Sequence, residues 1–417
     1  MSTGITITGA APVVAGGTLS LVSVIAGDGC ANAAVNWASS DLSAFTVTSA
    51  GAVTAVTAGT ATITATAGGK SAQVDVTSMF PTAVADARFG YAWASEEATG
   101  SYVASTGYEL NTGASGTITL EHTATGTYTA TFAGLAAAAG QKENVQVAAY
   151  GSAAVRCKLA SWNTVGSDLR ADVRCFSMAG GAPVDSRYDV FAAGQTALQG
   201  RSAFVVTPNS SASSYFAPAA TTQTSSRGGV QITHAGAGTY SVRLTGMARG
   251  STGGAETFQV TAIGSGSEFC TVISWGDDAA DLRVTVRCFA TGGGATDAQF
   301  SLLMLERGRS GKRVGFAWAD QQLSTTSYSP SSFYAMNSSG GVVTSLRMSM
   351  GVYQVTFAGL VRVGVADRET VLATAYSGVG VSCGVGSWDV TAAAVVVRCY
   401  DATGAAVDAR FTILWIE

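Results

Sequence analysis

The chain has 417 residues, of which 23 are basic and 27 acidic, for a net charge of −4. So sparse and balanced a charge excludes the basic stripe of a nucleic-acid binder, and no run of about 18 apolar residues exists to cross a membrane. With about 100–200 residues per domain, this length predicts two to four domains, each able to bury a core.

The start, Met1 to Ala10, carries neither a charged n-region nor an apolar h-region. No secretory signal peptide is read there, so a mature or recombinant form is expected, or a chain made without a leader. Residues 1–78 then differ in pattern from everything that follows. Val14-Ala-Gly-Gly-Thr-Leu19, Val35-Asn-Trp-Ala-Ser-Ser40 and Gly51-Ala-Val-Thr-Ala-Val56 come first, followed by Ala58-Gly-Thr-Ala-Thr-Ile-Thr-Ala65 and Gly68-Gly-Lys-Ser-Ala72. This ordered set resembles the bacterial Ig-like domain of group 2, the module of intimin- and invasin-type adhesins. The resemblance implies a small β-sandwich that serves as a spacer or binding module. Cys30, in the loop before Trp37, departs from it, because the family is expected to have no cysteine there. It reads as a free thiol or an intermolecular partner, a harmless loop cysteine being the plainer reading.

Beyond residue 78 the chain repeats itself. Arg88-Phe-Gly-Tyr-Ala-Trp93 recurs as Arg201-Ser-Ala-Phe204 and Arg313-Val-Gly-Phe-Ala-Trp318. Gly126–Leu135 recurs at Gly238–Met247 and Gly351–Leu360, and Val173-Arg-Cys-Phe176 at Val286–Phe289 and Val397–Tyr400. A period near 112 residues is too long for a solenoid unit of roughly 20–50, so the repeat is a domain. The expected division is 1–78, 79–195, 196–308 and 309–417. No named family with a function attaches to the three repeats.

Within a repeat, apolar and polar residues alternate. Thr127 to Phe132 points Tyr128, Ala130 and Phe132 inward, and Asn144 to Tyr150 sets Val145, Val147 and Ala149 against Gln146 and Ala148. Leu169 to Phe176 places Leu169, Ala171, Val173 and Cys175 on one face. Period-2 alternation marks half-buried antiparallel strands. The expected fold is all-β: an N-terminal Ig-like β-sandwich, then three tandem disulfide-stapled antiparallel β-sandwich repeats, or small barrels.

The remaining cysteines form one pair per repeat: Cys157/Cys175, Cys270/Cys288 and Cys383/Cys399. Their separations are 18, 18 and 16, and losing two residues from a hairpin loop preserves a cross-strand register that losing one would invert. Directly opposed strand residues lie within disulfide reach, so three buried cross-strand disulfides are expected, outside a reducing cytosol. Free thiols in a reducing compartment are the alternative. Zinc has only two sulfurs per repeat and no consistent His.

His122 and His234 fall at one equivalent position, and Arg347 takes it in the third repeat. A position that accepts His, His and Arg reads as a solvated polar site, and it leaves a Ser/His/Asp or Cys/His hydrolase no consistent home. Asp185, Asp297 and Asp408 also recur. With Arg187 and Arg410 they are expected to form a surface ladder with Arg174, Arg287 and Arg398, each pair worth about 0–1 kcal/mol. Asp277, Asp278 and Asp281 are a weak Ca²⁺ candidate, though the counterpart loops hold one carboxylate each. Asn209 and Asn337 fit a glycosylation pattern that carries no weight here. Neither a cofactor nor a metal is expected.

Trp162, Trp275 and Trp388 each follow the first cysteine of a pair by five residues. In the expected register Trp162 faces Arg170, Trp275 faces Arg283 and Trp388 faces Ala394. An outward Trp beside Arg is a candidate platform for a sugar ring or a partner protein; an indole covered by an Arg side chain, or packed at a domain junction, is the plainer reading. The function expected is a non-enzymatic extracellular or cell-surface β protein with an adhesive or structural role, its partner a protein or glycan surface. The alternatives are a self-assembling subunit, oligomer or filament, of an appendage or a virion (decoration or fibre protein), and a carbohydrate-binding module or glycan-active protein.

Overall fold

A computed structural model describes residues 2–27, 34–42, 44–56, 58–79, 88–113, 116–137, 143–194, 197–208, 210–249, 254–309, 311–364 and 368–417. Cys30 and Asn209 lie outside the described residues. Among the described residues, strands form the regular structure, apart from a short 3-10 turn at Ala219–Thr221.

The first segment folds by alternation. In Gly59–Ala67 the Ala and Ile side chains point inward and most Thr side chains point out, as a strand with one solvated face requires. Lys70–Met79 pairs with it antiparallel, and Asn36–Ser39 and Val13–Val14 complete a four-stranded sheet. Thr18–Ser20, Ala52–Ala55 and Phe45–Val47 form a second sheet. Phe45, Val53, Ile63 and Val76 are buried in one core.

Each repeat contributes strands to two sheets. In the first repeat, Glu109–Asn111, Phe89–Ala94, Arg187–Ala193 and Asn144–Tyr150 lie side by side. Its second group runs Ser101–Val103, Ile118–Ala124, Thr127–Phe132, Asp168–Ser177 and Val155–Val165. Tyr128, Phe132, Leu169 and Val173 from the second group share a core with Val145, Tyr188 and Val190 from the first. The hairpin turns that carry Gly126, Gly238 and Gly351 have φ of 62°, 62° and 68°. A Cβ there would meet the carbonyl oxygens of Cys175, Cys288 and Cys399 at 2.5, 2.5 and 2.7 Å, so glycine is required on both counts.

The repeats join through their sheets. Val155–Val165 runs parallel to Thr257–Ile263 of the second repeat, bridged at Leu159 and Ile263. Val272 and Tyr376 bridge the second repeat to the third, and Val385 and Tyr150 bridge the third back to the first. The result is two nine-stranded sheets and one eight-stranded sheet, each made from two repeats. The three repeats therefore close a pseudo-threefold ring. Three strands, Asn144–Tyr150, Thr257–Ile263 and Thr370–Tyr376, meet at its centre; they are called the axial strands below.

This closure corrects one expectation. The alternation of Asn144–Tyr150 predicts a half-buried strand, yet Asn144 through Ala148 are all buried. Val145 and Val147 face the core of their own repeat, while Gln146 reaches Ser301 of the second repeat and Ala148 packs among third-repeat side chains. The Ig-like segment sits on the second repeat. A Cβ on Gly59 would lie 2.7 Å from the Phe216 ring, and one on Gly229 would lie 1.9 Å from the Ala58 oxygen.

Cys157 and Cys175 are directly opposed in their ladder, as are Cys270 and Cys288 and Cys383 and Cys399. The Cα separations are 4.1, 3.9 and 4.1 Å, each pair bonded through sulfur. Non-reducing peptide mapping is expected to recover Cys157–Cys175, Cys270–Cys288 and Cys383–Cys399, whereas six alkylatable thiols would refute the pairing. Replacing one pair by alanines is expected to cost about 2–4 kcal/mol in urea unfolding.

Candidate functional site

The tryptophans that sequence spacing sets on an outer face are turned inward. A register shift between Leu159 and Ser161 places Trp162 opposite Ala171, and Asn163 takes the place opposite Arg170. The same shift sets Trp275 against Val284, with Gly276 against Arg283, and Trp388 against Val395 rather than Ala394. One extra residue between cysteine and tryptophan, a β-bulge, reverses the face of everything after it. That residue is Ala160, Ile273 or Gly386.

Each indole consequently lies at a seam between repeats. Trp162 is 6% exposed and packs with Val206 and Ile263 of the second repeat. Trp275 meets Trp318, Tyr334 and Tyr376 of the third repeat at ring separations of 5.8, 5.4 and 5.5 Å. Trp388 meets Trp93, Tyr108 and Tyr150 of the first at 5.9, 5.8 and 5.2 Å. Edge-to-face aromatic pairs of this kind add about 0.5–1.5 kcal/mol each beyond area burial. Arg249 covers Tyr334 and Arg362 covers Tyr108, with guanidinium carbons 4.5 and 5.0 Å from the ring centres. The predicted Trp–Arg platform is thus corrected: these indoles hold repeats together, and Arg170 and Arg283 pair with Asp172 and Asp278 instead.

The recurring aspartates are also reassigned. Asp185 accepts from the Gly126 amide at 2.6 Å and lies 2.9 Å from His122 Nε2. Asp297 repeats this with Gly238 at 2.6 Å and His234 at 2.8 Å. Asp408 holds Arg347 through both oxygens at 2.9 and 2.8 Å, together with the Gly351 amide at 2.8 Å. The expected ladder to Arg174, Arg287 and Arg398 is not what these acids make. The His/His/Arg position is largely covered, with side chains 18%, 22% and 22% exposed. It is a clamp across the glycine hairpin rather than a solvated site. Tyr128, Tyr240 and Tyr353 complete it by accepting the amides of Ser186, Ala298 and Ala409; burial pushes the Tyr240 phenol up to about 12.

The Asp277–Asp281 turn gathers no common centre. Asp277 accepts from the Arg249 amide, Asp278 pairs with Arg283, and Asp281 takes the Gly246 amide and Arg243. Among the described residues no group of three or more His, Cys, Asp or Glu stands close enough to hold a metal ion. Arg–Glu pairs missed by sequence reasoning join neighbouring strands near the axis: Arg88 with Glu143, Arg201 and Arg249 with Glu256, and Arg313 and Arg362 with Glu369. Their signal was present, because Glu143, Glu256 and Glu369 stand just before equivalent strands and Arg88, Arg201 and Arg313 open the first motif of each repeat.

An open cleft of about 590 Å³ lies between the Ig-like segment and the second repeat. Ser40, Asp75 and Thr62 line one wall and Gln231 and Arg243 the other, with Phe216 between them. Thr62 donates to Asp75 at 2.7 Å. Its size is that of a small-ligand site.

These features define an all-β, multidomain protein whose acids, histidines and indoles hold its repeats together. Residues 2–78 match the family model of the bacterial Ig-like domain (group 2). No curated protein matches the chain.

The clamp has a pH signature. The Arg347 guanidinium first, with the Gly351 amide, outweighs burial and holds the Asp408 carboxyl below its ordinary range. A lowered folded value stabilises the fold above the unfolded value of about 3.9; that contribution is lost as the pH falls through the folded value. Asp408→Ala is expected to cost about 2 kcal/mol at pH 7 and progressively less as the pH is lowered below about 4, measured by urea unfolding across that range.

Proposed function

We propose that the chain is an extracellular or cell-surface protein with a structural and adhesive role, its three repeats forming a rigid head of two-layer sandwiches. The observation that carries this reading is the cleft where the Ig-like domain meets the second repeat. Disulfides in every repeat fit an oxidising compartment. The cleft's exposed hydroxyl, carboxylate, amide and guanidinium groups beside an aromatic ring fit a glycan, which needs many directional hydrogen bonds and one apolar surface. On a glycan array, binding by the intact chain is expected to fall at least tenfold in Asp75→Ala and Gln231→Ala without a change in Tm. Binding that survives both substitutions would remove the cleft from the reading.

The pseudo-threefold ring favours a second reading, a subunit of an appendage or virion, because threefold heads suit symmetric fibres and decorations. Electron microscopy of the purified chain separates the two. Monomeric particles support the adhesin, and ordered filaments or higher rings support the assembly subunit.

A further inference from the structure

The ring is threefold in outline but not in chemistry along its axis. At the seam between the first and second repeats, Gln146 Nε2 donates to Ser301 Oγ at 3.2 Å. Thr261 Oγ1 donates to Gln146 Oε1 at 2.8 Å and accepts the Val147 amide at 3.0 Å. At the next seam Gln259 reaches Thr412 at 3.3 Å, and Thr374 donates to Gln259 at 2.8 Å while accepting the Val260 amide at 3.2 Å. In the third seam the equivalent residues are Leu372, Ala148 and Asp189. The amide and the hydroxyl are gone, and a carboxyl stands where its sister repeats have Ser301 and Thr412.

Asp189 is fully buried, with Trp93 and Ala148 as its ladder neighbours. Neither of its oxygens meets ordinary hydrogen-bond geometry, and the polar group that offsets its burial is the Thr370 hydroxyl facing it across the seam. The other charged groups of this seam are engaged elsewhere, and the Tyr150 phenol, raised first by burial and then by Asp189 itself, brings no positive charge. Arg187 lies over the Tyr150 ring and pairs with Glu97. Arg368 stands at the rim with Glu109, and Glu369 is held by Arg313 and Arg362. The phenol of Tyr91 is buried and weakly acidic. Among the described residues no cation offsets a negative charge on Asp189.

We propose that Asp189 makes the seam between the first and third repeats an alkali-sensitive joint, the place where the closed ring loosens first as the pH rises. Burial pushes the Asp189 carboxyl well above its ordinary range, opposed only by the Thr370 hydroxyl. The folded chain therefore keeps a proton that the unfolded chain releases near pH 3.9. By linkage, stability falls as the pH rises from about 4 towards the folded value, opposite in sense to the Asp185, Asp297 and Asp408 clamps.

The test is the pH dependence of Tm between pH 5 and 9 for the intact chain, Asp189→Thr and Asp189→Asn. The wild type is expected to lose Tm as the pH rises from 5 towards the folded value of Asp189. Both variants should flatten that slope, and Asp189→Thr, which restores the residue of the third repeat, should melt at least about 2 °C higher at pH 9. The slope is the readout, so a variant with a lower Tm still decides. Hydrogen exchange supplies the location: at pH 9 the amides of Thr370–Tyr376 and Arg187–Ala193 should lose protection before those of Thr257–Ile263. A slope unchanged in Asp189→Asn, or equal protection in all three axial strands, would overturn the proposal.

Discussion

The structure depends on three central strands that have no solvent face. A strand in a free-standing sandwich buries one side and wets the other, so polar residues on the second side need no partner. Asn144–Tyr150, Thr257–Ile263 and Thr370–Tyr376 give both sides to protein, and any amide or hydroxyl on the outer side must find a hydrogen bond or be costly. Gln146 and Gln259 answer that demand by reaching into the next repeat, where Ser301, Thr261, Thr412 and Thr374 receive them. The same contacts that satisfy buried groups also fix the angle between repeats. The third seam, which lacks these groups, closes the ring through the Tyr150–Val385 bridge and the Trp388 aromatic cluster.

How much of this was legible in the sequence varied with the periodicity of each element. The strand Asp168–Ser177 keeps a strict alternation, so Leu169, Ala171, Val173 and Cys175 are buried where the pattern places them. The opposed cysteines follow from the even difference in their spacing. Trp162, Trp275 and Trp388 could not be placed the same way, because a single bulged residue separates each from its cysteine and has no chemical signature: Ala160, Ile273 and Gly386 share nothing. The buried outer side of the axial strands was hidden for a different reason. Asn, Gln and Thr look like solvated residues until a neighbouring repeat supplies their partners, and one repeat read alone cannot reveal its neighbour. The absence of any Lys, Arg, Asp or Glu in all three axial strands was the available cue.

Joining three similar units in one chain lets each diverge to suit a different neighbour. Phe216 of the second repeat carries the Ig-like domain, while Val103, at the equivalent edge strand of the first, is 61% exposed. Glu306 and Glu417 tie Arg201 and Arg313 into place, where the first repeat has Gly194. The aromatic cluster is complete at two seams and reduced at the third, where Val206 and Ile263 stand against Trp162. None of these differences could persist in an assembly of identical chains, in which every change appears three times.

The few charges are concentrated where geometry matters most. Glu256 and Glu369 are wholly buried, each held by two arginines, and Glu143 is nearly so. Buried ion pairs of this kind add little net stability over apolar residues of the same volume, because desolvation offsets their attraction. Their effect is on register. Shifting an axial strand by one residue would strand a carboxylate in the core without its guanidinium, a penalty of about 3–5 kcal/mol, whereas a slipped run of Val and Ala would lose far less. The Arg–Glu pairs thus penalise a slipped register, while the apolar core supplies the drive to fold.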